Sequence, residues 1–95
     1  MSRSTMSAKV GTPFEVSLPF NPGAGYQWEP AVDTGQVTLV DKHTEAASAD
    51  IGGRAVQKFV FQPVAPGNTQ IKFTLKRRWE SAAAETKVVD VEIKA

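Results

Sequence analysis

The chain has 95 residues, 41% of them hydrophobic and 22% charged, with a formal net charge of +1, seven glycines, six prolines and no cysteine. That length gives a single domain, 1–95, with enough core to fold without staples, and the missing cysteine excludes disulfides, thiolate chemistry and cysteine-held metal. Near-neutral charge excludes a general electrostatic grip on nucleic acid or anionic membrane, and no apolar run approaches membrane-spanning length.

Residues 1–7 are polar and small, and are expected to form a flexible tail. They contain no apolar stretch of the signal-peptide kind, so the compartment stays open: cytoplasmic as written, or secreted or periplasmic had a signal been removed. Phe14, Val16, Leu18 and Phe20 then alternate with Glu15, Ser17 and Pro19, which predicts a strand with one buried face. Asn21-Pro22-Gly23-Ala24-Gly25 breaks it with strong turn formers. Tyr26-Gln27-Trp28 resumes strand character up to Pro30. Val37 and Leu39 point one way and Thr38 and Val40 the other, in a strand expected to reach about Thr44.

Ala46 to Arg54 is small, polar and carries Gly52-Gly53, which predicts a flexible loop. Phe59 and Phe61 share a face of the next strand, which Pro63 ends, and Pro66-Gly67-Asn68 makes a tight turn. Ile71, Phe73 and Leu75 alternate with lysine and threonine up to Lys76. Arg77 to Glu85 is a loop, and Val89, Val91 and Ile93 close the chain in a last strand. The segment 81–86 has helix propensity but no face to bury. About seven short strands and no secure helix predict an all-β, immunoglobulin-like antiparallel sandwich, monomeric when free.

Few residues offer chemistry. Asp33-Thr34-Gly35 has the spelling of an aspartic-peptidase triplet, but it lacks the hydrophobic framing strands and the C-terminal helix such a site requires, and Asp and Gly between strands are ordinary turn residues. His43 is the sole histidine, with no supporting pattern for a metal or a catalytic triad, so it is expected at an exposed strand end. Gly52-Gly53 lacks the spacing and the following helix of a phosphate cradle. No catalytic residue, metal or cofactor is expected. The two tryptophans differ: Trp28 lies in an apolar strand and reads as core, whereas Trp79 follows Lys76-Arg77-Arg78 in a polar loop and reads as an interface anchor.

Three segments together resemble the chagasin family of cysteine peptidase inhibitors. Asn21-Pro22-Gly23-Ala24-Gly25-Tyr26-Gln27-Trp28 is similar to the family's Asn-Pro-Thr-Thr-Gly-Tyr followed by Trp. Gly52-Gly53 ahead of Phe59-Val60-Phe61 is similar to its glycine-rich loop and Phe-x-Phe strand. Arg77-Arg78-Trp79, beyond the strand that follows Pro66-Gly67, is similar to its Arg-Pro-Trp. The departures are Gly23 and Ala24 for two threonines and Arg78 for proline. The resemblance implies an immunoglobulin-like fold whose partner is a papain-like cysteine peptidase. It also implies that Asn21 to Tyr26 enters the catalytic centre while Gly52, Gly53, Arg77, Arg78 and Trp79 clamp the cleft. The alternative is an immunoglobulin-like binding or adhesion module without inhibitory activity.

Overall fold

A computed structural model of the chain describes residues 2–20, 25–46, 55–77 and 79–95. Seven strands follow one another: β1 (Ser2–Lys9), β2 (Phe14–Phe20), β3 (Tyr26–Ala31), β4 (Val37–Ala46), β5 (Ala55–Pro63), β6 (Gly67–Arg77) and β7 (Glu85–Lys94). They form a four-stranded sheet in the order β1-β7-β6-β3 and a three-stranded sheet in the order β2-β5-β4. No helix occurs among the described residues.

Period-two alternation builds both inner faces. In β5 every second residue is buried, from Ala55 through Gln57, Phe59 and Phe61 to Pro63. Ile71 and Phe73 of β6 and Val89, Val91 and Ile93 of β7 oppose them, and all are buried. Phe73 interlocks across the layers, with its ring centroid 5.3 Å from that of Phe59 and 6.0 Å from that of Phe61. Phe14 stacks on Phe61 at 5.5 Å. Phe14, Val16 and Leu75, expected mainly inside, are instead partly buried residues that pack on the margin of this core.

The expected N-terminal tail is largely a strand. Residues 2–9 form β1, which pairs in parallel with β7 from Ser2 opposite Lys87 to Lys9 opposite Lys94. Met6 and Ala8 pack against the core from this strand, so two modest apolar groups and a ladder of backbone bonds hold a segment that looks polar throughout.

Val37 and Leu39 do not share a fate. Val37 is fully buried, whereas Leu39 is 40% and Val40 56% exposed. The register of β4 against β5 shifts between Leu39 and Asp41, the mark of a bulge. Beyond it, Lys42 and Thr44 stand opposite the inward-facing Phe59 and Gln57, so the inward phase moves to even-numbered residues. Pro30 does not stop β3, which runs on to Ala31 as an edge strand, where a missing N–H is tolerated.

Candidate functional site

Three connections share one end of the sandwich, because β2, β4 and β6 finish there and β3, β5 and β7 begin there. In the smaller sheet Phe20, Ala55 and Ala46 lie side by side in register. In the larger sheet Tyr26 lies opposite Arg77, and Leu75 opposite Glu85. Trp28 ties these two edges together. Its backbone N–H donates to Gln57 Oε1 at 2.8 Å, and its indole Nε1–H donates to the Pro19 carbonyl at 3.0 Å. With 3% exposure, Trp28 is the structural tryptophan at the root of this end.

Trp79 is its counterpart above the core, 72% exposed. The ring lies along Gly25, where a Cβ would come within 3.1 Å of Trp79 Cη2. Gly25 also has φ +81°, in the left-handed region that side chains other than glycine rarely adopt. Backbone conformation and ring contact therefore both demand glycine at this position. The third connection is tightened by a bond from the Glu80 N–H to the Arg77 carbonyl at 3.2 Å and by one from the Ala84 N–H to the Leu75 carbonyl at 2.8 Å.

Arg77 links these parts. Its guanidinium carbon lies 4.6 Å from the Tyr26 ring centroid and 5.9 Å from that of Trp79, and Nη1 reaches Glu80 Oε1 at 3.3 Å. Tyr26 and Arg77 thus form one cation–aromatic layer joining the first connection to the third. Beneath Trp79 a shallow cleft of about 310 Å³ opens between the sheets, lined by Phe20, Tyr26, Thr44 and Gln57 among others. Of the sequence-derived site, Gly25, Tyr26, Arg77 and Trp79 come together here. Asn21, Pro22, Gly23, Ala24, Gly52, Gly53 and Arg78 lie outside the described residues.

Sequence reasoning passed over Gln57. Its signal was present, since it occupies the inward phase of Phe59 and Phe61 where an apolar residue is expected. Glu80 was also missed, having only its place beside Trp79 to mark it.

The remaining candidates settle as ordinary structure. Asp33 closes a turn: Oδ1 accepts from the Gly35 N–H at 3.0 Å, and its carbonyl accepts from the Gln36 and Val37 N–H groups at 2.9 Å. His43 lies between Asp41 (3.6 Å) and Glu45 (3.3 Å) on the outer face of the smaller sheet. Lys58 reaches Glu45 at 3.0 Å and Glu15 at 4.0 Å on the same face. The hydrogen bond from Lys58, followed by its charge, holds the Glu45 carboxyl below the usual carboxylate range, and the same contact raises Lys58. No cluster of histidine and carboxylates among the described residues is arranged to hold a metal.

A rigid β-sandwich that gathers an exposed aromatic, a stacked arginine and two further connections at one end defines a loop-presenting binding protein. The family model described as Chagasin family peptidase inhibitor I42 matches residues 7–93. The chain belongs to the chagasin family of peptidase inhibitors, which makes it an inhibitor rather than the peptidase that Asp33-Thr34-Gly35 spells. No curated protein matches the sequence. Among solved structures, the chain is similar to the cysteine protease inhibitor EhICP2 from Entamoeba histolytica, with TM-score 0.85, 22% identity, and coverage of 98% of this chain and 88% of that one. It is similar to PbICP-C, solved in complex with falcipain-2, with TM-score 0.73, 20% identity, and coverage of 98% and 88%. It is also similar to amebosin, with TM-score 0.64, 21% identity, and 99% coverage of both chains.

Proposed function

We propose that the chain is a reversible inhibitor of papain-like cysteine peptidases that fills the active-site cleft with the three connections of one sandwich end. The segment 21–26 acts as the wedge, and 52–53 and 77–79 flank it. The observation that carries this reading is the packing of Trp79 on Gly25 above a Tyr26–Arg77 layer, which makes one surface of the first and third connections. PbICP-C, similar in fold, was solved with falcipain-2, and EhICP2 is a cysteine protease inhibitor; family membership extends that class of partner to this chain.

Inhibition follows from physical occlusion. Loops rooted in a packed core lose little entropy on binding, and Trp79 offers a large apolar area at a cost of two side-chain torsions. No catalytic group is required from the inhibitor. Replacing the family's threonine hydroxyls with Gly23 and Ala24 removes neutral hydrogen bonds worth about 0.5–1.5 kcal/mol each. That amounts to at most about tenfold in affinity per bond, which weakens a tight inhibitor without abolishing it.

The experiment is a titration of papain with the purified chain, followed by dilution. Activity on a small peptide substrate should fall to completion in a substrate-competitive manner and return after dilution. An unaffected peptidase would instead leave an immunoglobulin-like binding module whose loops serve another partner.

A further inference from the structure

We propose that Gln57 is a positioning residue for inhibition: its buried carboxamide fixes the strand carrying the first loop against the strand carrying the second. The inference rests on the functional reading above and extends it to a residue below the contact surface.

Gln57 is 2% exposed and is the one buried polar side chain among the described residues. It occupies an inward position of β5, between Ala55 and Phe59, where Leu or Met would satisfy packing without a polar group to desolvate. The carboxamide oxygen instead takes the Trp28 N–H at 2.8 Å. Trp28 belongs to β3, an edge strand with β6 on one side only, so an N–H turned to the open side has no neighbouring strand to bond. A buried N–H left unmet is destabilising, and Gln57 removes that cost while specifying where β3 sits.

The placement makes this more than local satisfaction. β3 begins at Tyr26 and β5 at Ala55, so the bond joins the strand leaving the first loop to the strand leaving the second. Gln57 also stands opposite Leu18 of β2 and Thr44 of β4, the strands that feed those two loops. The Trp28 indole bond to Pro19 completes the set, so the four strands that bear the first and second loops meet at Gln57 and Trp28. An apolar side chain would let β3 drift along the smaller sheet, and a drift at the root displaces the wedge tip. Directional bonds suppress such freedom in a way that non-directional packing does not. Preorganisation of this kind raises affinity by cutting the ordering cost of binding.

The test compares Gln57→Met, which keeps length and removes the acceptor, with Gln57→Glu, whose protonated form below about pH 5 keeps a carbonyl oxygen. Inhibition constants against papain, thermal midpoints and amide exchange at Trp28 are measured for both. Gln57→Met should stay folded with a modestly lowered midpoint, lose protection at the Trp28 amide and weaken inhibition by about tenfold, with Gln57→Glu at low pH recovering most of the affinity. If Gln57→Met fails to fold, Gln57→Asn, which keeps the carboxamide but draws its oxygen back by one methylene from the Trp28 N–H, is measured in its place, and wild-type inhibition with the Trp28 amide unprotected would overturn the inference. Wild-type inhibition constants in the acceptor-less variant would overturn the inference and leave the functional reading standing. Loss of affinity in strict proportion to lost midpoint in both variants would make Gln57 merely structural and overturn it as well. A wild-type chain with no effect on papain would remove the functional reading and this inference together.

Discussion

Trp28 and Trp79 carry the same indole into opposite surroundings, and the difference separates stability from binding. Trp28→Ala removes a buried ring and its indole bond to the Pro19 carbonyl while leaving the backbone N–H that Gln57 accepts, and should destabilise the domain by about 3–5 kcal/mol in denaturant unfolding. Trp79→Ala removes a side chain that is 72% exposed, so the unfolding midpoint should hold while papain inhibition weakens by about 2 kcal/mol or more, roughly thirtyfold. A Trp79→Ala chain that inhibits like wild type would demote that ring to a loop ornament. Charge acts at this scale too. Glu45 titrates below its ordinary range because Lys58 bonds its ionised form, so its contribution to stability is present above the unfolded-state value and disappears as pH falls through the folded one. Lys58 is raised by the same contact, so its contribution is present below its unfolded-state value and disappears only as pH rises through the folded one. Glu45→Gln should therefore flatten the acid side of the curve of thermal midpoint against pH and leave neutral-pH inhibition unchanged, since the pair lies on the sheet's outer face.

Among the elements, β5, β6 and β7 were legible because phenylalanine and β-branched residues alternate with polar ones without interruption. β1 was not legible. Its sequence, Ser-Arg-Ser-Thr-Met-Ser-Ala-Lys, has little apolar content, and its strand state comes from parallel pairing with β7, a long-range contact that local pattern does not encode. The bulge in β4 was equally silent, because Val37, Leu39 and Val40 are all apolar and only the register shift separates the buried one from the exposed pair. The same bulge twists an edge that would otherwise invite strand addition. At the site, Trp79, Arg77, Tyr26 and Gly25 were readable from residue type and motif, whereas Gln57 acquires its meaning only from Trp28 across the layers. Deleting residues 1–8 should cost about 2 kcal/mol or more by removing Met6 and Ala8 from the margin of the core and baring the edge of β7, read as a lower denaturation midpoint. An unchanged midpoint would return the segment to the status of a tail.

For the whole molecule, the division of labour runs along the sandwich axis. One end carries the connections β2–β3, β4–β5 and β6–β7, with Trp79, Gly25, Tyr26 and Arg77 in mutual contact. The opposite end is closed by short hydrogen-bonded links, including Gly11 N–H to the Pro63 carbonyl at 3.1 Å and Val64 N–H to the Gln36 carbonyl at 2.8 Å. Among the described residues, a large exposed aromatic, a stacked cation and a cleft between the sheets gather at the first end, and the chagasin family to which the chain belongs supplies the class of partner. The measurement that bears most directly on this division is amide hydrogen exchange of the chain, free and saturated with papain. Protection should rise at 21–26, at 52–53 and at 77–80, and stay unchanged at 10–13, 32–36 and 64–66. Protection appearing at the second set of segments, with the first set unaffected, would contradict the account.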